Sequence, residues 1–307
     1  MSKYAAFYMF AEANSSVALQ RLRRLLKIYP DVTFIPVVGV RQLVYMPMII
    51  DEYMFGSTRQ VHLIGRCTHL VNSLALAAPG FFQLAYSINK QIGSLTRDSK
   101  LNELRNKVQK EGLPHFYADF TPKALFNGDH ALMHWFNTSG KHLDFDYLIF
   151  YEPDIYTTKP LDEIYGEYAD SYDACFNEYG VANSSWSFYR CPPGCSRATQ
   201  KWLKQRKLPT TLYRCIFGGS LISRAVLERL SELKIDFSGE PYCFAEMRLS
   251  TIITALGFKC GRLNFPFYRF RPVWSEKEIF SNENAGIFHP VKALTSIELE
   301  QSIRPHT

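Results

Sequence analysis

No stretch of the 307 residues reads as a convincing membrane span. The nearest, "LVNSLALAAPGFFQLAYSI" (Leu70–Ile88), contains Asn72, Pro79, Gly80 and Gln83. A span needs about 20 mostly apolar residues, so a buried helix broken at Pro79 is expected instead. Charge of one sign is also scarce. Lysine plus arginine number 35 against 29 for aspartate plus glutamate. That excess suits an anionic ligand or a membrane surface and is too small for a nucleic-acid footprint. Cysteines are few, scattered and odd in number, seven in all. The opening "MSKYAAFYMFAEANSS" has one lysine and a short apolar run that stops at Glu12. It reads as a first strand and not as a secretory signal, so reduced thiols and a cytoplasmic setting are expected. Cys191 and Cys195 flank Pro-Pro-Gly without the further ligands that structural zinc needs. Internal repeats, low-complexity tracts and a clear linker are all missing.

Apolar mass is plentiful. Hydrophobic residues make up 47% of the chain, ample for one large core. "KYAAFYMFA" (Lys3–Ala11) is nearly continuous, as in a strand buried on both faces. In "SSVALQRLRRLLKIYP", Val17, Leu19, Leu22, Leu25, Leu26 and Ile28 recur at helical spacing, Ser15 or Ser16 can cap, and Pro30 closes the helix. "VTFIPVVGV" (Val32–Val40) is the next strand, completing the strand–helix–strand opening of a parallel α/β sheet. Further on, Val61–Gly65 fits a strand and Lys100–Gly112 an exposed helix. Gly128–Gly140 fits a helix capped by Asp129. The basic run "RLRRLLK" (Arg21–Lys27) reads as a solvated helix face or a contact with anionic lipid at a membrane periphery. Trp186, Phe188, Tyr189, Trp202 and Trp274 read as core more readily than as sugar-stacking walls.

Four stretches carry the chemistry. In "DFDYLIFYEPDIYTTKPL" (Asp144–Leu161), the uncharged run Tyr147–Tyr151 ends on Glu152 and Asp154, spaced by Pro153. Proline ends the strand there. In extended backbone, residues two apart face the same way, so both acids can serve one site. Paired carboxylates suit a hard divalent cation; a solvated polar loop fits them as well. In "FGGSLISRAVLERL" (Phe217–Leu230), Gly218 and Gly219 separate one strand from a second strand or turn before a helix. They let backbone approach a ligand, or simply make a tight turn. "AEMRLSTIITALGFK" (Ala245–Lys259) is a helix to about Leu256, ended at Gly257. It has Glu246 at its start, where an acid complements the helix dipole. In "GIFHPVK" (Gly286–Lys292), His289 can bind a metal as neutral imidazole or be structural, and Lys292 can pair with phosphate.

In this order the stretches resemble the GT-A glycosyltransferases, over roughly Tyr4 to Lys292. "FDYLIFYEPDIYTTKPLDEIY" looks like that family's central strand and metal-binding loop, where an Asp-x-Asp motif ends the strand. The match puts Asp154 on the acid that holds a divalent cation against the diphosphate of a nucleotide sugar. Glu152 replaces the first Asp, which meets ribose or metal. The glycine pair is similar to one bordering the acceptor side. Glu246 falls on the catalytic base of inverting members, with Ala245 replacing the neighbouring acid, and His289 falls on a late histidine of the metal shell. The resemblance implies a nucleotide near Glu12 and Asn14, Arg41, and Asn127 and Asp129. It implies an α/β fold with a Rossmann-like, mostly parallel central sheet flanked by helices in one large domain. Residues 1–155 would form the nucleotide-sugar half and 156–307 the acceptor half. The expected cofactor is Mn²⁺ or Mg²⁺, the donor a UDP- or GDP-sugar, and the acceptor a glycan or glycoconjugate hydroxyl, with inversion. The departures Glu-Pro-Asp and Ala-Glu keep a non-catalytic nucleotide- or glycan-binding scaffold as the alternative. A sugar nucleotidyltransferase would want a glycine- and lysine-rich phosphate loop after the first strand, which "FAEANSS" does not supply.

Overall fold

The computed structural model describes residues 3–11, 15–39, 102–110, 117–119, 128–186, 189, 194–237, 243–269 and 272–291. The segments read above as a strand at Val61–Gly65 and a broken helix at Leu70–Ile88 lie outside these residues, as do Cys67 and Cys191. The chain opens as β1 (Tyr4–Ala11), α1 (Ser15–Ile28) and β2 (Thr33–Gly39), with β2 parallel to β1. A helix α2 over 102–110 and the short β3 (Tyr117–Asp119) follow. Next come α3 (Gly128–Thr138), β4 (Tyr147–Tyr151), β5 (Tyr156–Thr157), α4 (Leu161–Ser171) and β6 (Ala174–Val181). The remainder is α5 (Cys195–Gln205), β7 (Tyr213–Ser223), α6 (Arg224–Glu232), α7 (Ala245–Ala255), β8 (Cys260–Leu263), α8 (Glu276–Phe280) and β9 (Ile287–Phe288).

Seven strands form one sheet in the order β3-β2-β1-β4-β7-β6-β8. Every pairing is parallel except those of β7, which runs antiparallel to both β4 and β6. Successive strand residues point to opposite faces, so a sheet covered on both sides needs continuous apolar runs. The YLIFY strand shows the division. Leu148 and Phe150 enter a core with Trp135 of α3, Val226 of α6 and Ile252 of α7. Ile149 and Tyr151 enter a second core with Leu22 and Leu25 of α1 and Tyr165 of α4. The mostly parallel, helix-flanked α/β sheet expected from the sequence is what the chain forms. No described helix is long and apolar enough to cross a membrane, and the five described cysteines are free thiols.

Three local readings change. The double glycine does not divide a strand: β7 runs through Gly218 and Gly219 for eleven residues. Gly219 has φ +73°, and the register against β6 shifts on either side of Asn177. Glycine here permits a bulge within the ladder instead of ending it. Asp129 is not a cap but a first-turn residue of α3, and its carboxylate accepts from the adjacent His130 amide and from Arg248. The basic face of α1 divides: Arg23 and Lys27 are exposed, while Arg21 and Arg24 are half-buried. Arg21 donates to the carbonyl of Pro153 at 2.5 Å, and Arg24 donates to that of Thr157 at 3.2 Å while lying 4.0 Å over the Tyr156 ring. Both guanidiniums reach the loop after β4.

Candidate active site

β4 lies mid-sheet between β1 and β7, so its carboxyl end opens where ligands collect in α/β sheets. The chain turns there, with the Ile155 amide donating to the Glu152 carbonyl at 3.0 Å. It then runs out as β5, which pairs antiparallel with β9: Tyr156 opposes Phe288 and Thr157 opposes Ile287. The Val291 amide donates to the Asp154 carbonyl at 2.8 Å. This two-stranded ribbon carries His289 across to the acids. Its Nε2 lies 3.6 Å from Oε2 of Glu152 and 3.6 Å from Oδ1 of Asp154. Beneath the ribbon, Tyr156, Ile279, Phe288 and Val291 form a small separate core.

The donor set fits a divalent cation. One ligand atom from each of Glu152, Asp154 and His289 lies within 4.8 Å of the others. Bonds of about 2.1 Å put neighbouring octahedral ligands about 3 Å apart and opposed ones about 4.2 Å apart, which brackets the 3.6 Å separations. The imidazole is in the right form. Nδ1 sits 3.1 Å from the Arg269 carbonyl, which can only accept, so Nδ1 carries the proton and Nε2 is left to face the acids. Without a cation, burial works to lower the His289 pKa. The Asp154 and Glu152 carboxylates outweigh it and raise it to about 9. A proton then occupies the position a metal would take.

Gly218 is tied to this cluster by sterics. A Cβ built there would lie 2.5 Å from the Tyr268 hydroxyl and 2.6 Å from Oε2 of Glu152. Its carbonyl accepts from Asn177 at 2.6 Å, and that of Gly219 accepts from Tyr165 at 3.0 Å. Glu246 opens α7, and its Oε1 accepts from the Phe217 amide at 3.2 Å. Burial pushes its pKa up to about 8. The Phe217 N–H opposes that shift, and the charges of Glu152 and Glu178 add to it. Glu178 holds φ at +50°, an uncommon conformation for a side-chain-bearing residue.

The structure thus gathers Glu152, Asp154, His289, Gly218 and Glu246 into one region. It places Asp129 in a different setting. Both Asp129 oxygens accept from Arg248, at 2.6 Å and 2.5 Å, in a pair sealed from solvent, so the carboxylate does not face a donor. Glu12, Asn14, Arg41, Asn127 and Lys292 lie outside the described residues. Sequence reasoning missed Tyr268, Arg269 and Arg21. The first two sit in "FPFYRFRP", which carries no motif, and Arg21 looked like one of several surface arginines.

No protein-family model and no curated protein matches the chain. Among solved structures it is similar to core-mannan synthase A (CmsA/Ktr4) of Aspergillus fumigatus in its Mn/GDP form. The identity is 8%, the alignment covers 85% of this chain and 73% of that one, and the TM-score is 0.38. It is similar to the mannosyltransferase Ktr4p of S. cerevisiae in complex with GDP at 6% identity, over 83% and 66% of the two chains, TM-score 0.37. It is also similar to S. aureus TarS 1–349 in complex with UDP-GlcNAc at 11% identity, over 98% and 64%, TM-score 0.35.

Proposed function

We propose that the chain is a divalent-cation-dependent glycosyltransferase of the GT-A type, moving a sugar from a UDP- or GDP-sugar to a hydroxyl of a glycan or glycoconjugate. One observation carries the reading: Glu152, Asp154 and His289 converge at the carboxyl end of the central strand, with Glu246 close enough to feel the charge of Glu152. Asp154, Glu152 and His289 would hold Mn²⁺ or Mg²⁺. When bound, the cation supplies Lewis acidity that offsets charge on a departing diphosphate. Arg269 keeps His289 in its ligating tautomer, and Arg21 and Arg24 hold the loop that bears the acids against α1.

Glu246 is the group to take the proton from the acceptor hydroxyl. A pKa near 8 puts it close to the operating pH, where a general base combines adequate strength with adequate ionisation. The Phe217 amide fixes one of its oxygens. A base delivering the acceptor directly to the anomeric carbon gives inversion.

The test is a thermal-shift panel of nucleoside diphosphates and nucleotide sugars, with and without Mn²⁺, followed by a transfer assay with the donor it selects. A ligand that binds only the folded form raises Tm by mass action, and the rise should require the cation. Asp154→Ala should lower transfer by at least about 100-fold. Wild-type transfer from that variant would remove the metal assignment.

A further inference from the structure

The Tyr268 hydroxyl is buried and has no hydrogen-bond partner among the described residues. Leaving such a group unsatisfied is destabilising, and an unpaired buried polar atom in a folded protein calls for a reason. The ring itself has one. It stacks on the His289 imidazole with centroids 4.4 Å apart and planes 16° from parallel. Tyr268 also shares an isolated bridge with His289. Phenylalanine would do all of that, so the hydroxyl needs a separate account.

Its position supplies one. The hydroxyl and Oε2 of Glu152 both press against the bare Cα of Gly218, at a point a Cβ would block. An absent side chain at 218 and an extra oxygen at 268 therefore meet at the same spot, beside the acid pair. The region is rich in acceptors, with the carboxylates of Glu152, Asp154 and Glu246 all near the phenol. An anionic ligand entering there needs donors that are not already engaged. Arg21 gives one N–H to the Pro153 carbonyl and Arg24 one to that of Thr157, and the Arg24 Nε, like the Tyr268 hydroxyl, has no partner among the described residues. The phenol hydroxyl is a donor still to be used.

We infer that the Tyr268 hydroxyl is a further binding group of this site, donating a hydrogen bond to an anionic oxygen of a diphosphate held at the Glu152–Asp154–His289 cluster. This rests on the cation site proposed above and adds a residue to it. Tyr268 then does two things with two parts: its ring supports the ligating histidine, and its hydroxyl receives the ligand.

Tyr268→Phe separates them, because it keeps the ring. Free Mn²⁺ is followed by electron paramagnetic resonance during titration. UDP and GDP are then titrated calorimetrically in saturating Mn²⁺. The variant should bind Mn²⁺ as the wild type does, and the nucleotide that binds the wild type should bind about tenfold more weakly or worse, the loss expected for a hydrogen bond to a charged group. Its Tm without ligand should equal or exceed that of the wild type, since no internal hydrogen bond is removed. Unchanged nucleotide affinity would overturn the inference. So would a fall in Mn²⁺ affinity that accounts for the whole nucleotide loss, because the hydroxyl would then only be ordering Glu152, and so would a clear drop in Tm. If the wild type itself binds no Mn²⁺, the cation site fails first and takes the inference with it.

Discussion

Two regions bring carboxylates to a cationic or ionisable partner, and they differ in what is left over. At Asp129–Arg248 one acid meets one guanidinium through two bonds, and the side chains are 0% and 1% exposed. Charge, hydrogen bonds and solvent exclusion all balance. At Glu152–Asp154–His289 two acids share one imidazole at 3.6 Å, and the acids keep 24% and 16% of their exposure. The separations there exceed hydrogen-bond length, and both acids stay partly exposed. The first is a strut between α3 and α7, two residues from Glu246. The second holds two partly exposed acids around one imidazole, the arrangement on which the proposed cation site rests.

Breaking the strut should give the largest effect. Asp129→Ala leaves the Arg248 charge buried and unpaired, which costs about 3–5 kcal/mol. Denaturant unfolding should show that loss, while Mn²⁺ affinity of the protein that remains folded stays at the wild-type value. A matching collapse of Mn²⁺ binding in folded protein would mean that the two regions are not independent.

Proton competition should separate them next. His289, raised to about 9, must lose its proton before Nε2 can ligate. Mn²⁺ affinity should therefore climb by about tenfold per pH unit up to pH about 9, then level off. The sign reverses for the metal-free protein. A histidine raised above its unfolded value stabilises the fold below the unfolded pKa of 6.5, and that contribution is lost as pH rises through about 9. Glu246 adds a rate signature: neutral below about 8, it should let transfer rise with pH to that point and no further. A pH-independent Mn²⁺ affinity between 6 and 9 would take His289 out of the ligand set.

The smallest expected effect comes from Gly218→Ala. The new methyl would meet the Tyr268 hydroxyl at 2.5 Å and Oε2 of Glu152 at 2.6 Å and force them aside. Loss of one imperfectly placed ligand should weaken Mn²⁺ binding by about tenfold or less. Gly219→Ala strains a backbone at φ +73° instead, and should show in stability before it shows in metal affinity.

The regions also differ in how legible they were. The strand–helix–strand opening and the acids after YLIFY were readable because their signals are local: apolar runs, a proline, a spacing of two. The Asp129–Arg248 pair joins residues 119 apart, so an acid at a helix start looked like a cap. His289 reaches Asp154 through a ribbon of two residues per strand, too short for any periodicity to announce. A double glycine usually marks a turn, so β7 reads as two pieces in the sequence. The ladder on both sides of it, to β4 and β6, overrode that local preference. Arg21 and Arg24 looked solvent-facing because helical spacing shows which residues share a side and not what loop will fold over them.

The β5–β9 ribbon sets an order of assembly. Glu152 and Asp154 leave the ribosome long before His289, and the strand that pairs beside β5 is made only after the whole sheet has been synthesised. A nascent chain therefore carries two bare acids without the imidazole that completes them. Under the proposed function, cation binding would be a late event, open only to molecules whose β9 segment has already paired with β5.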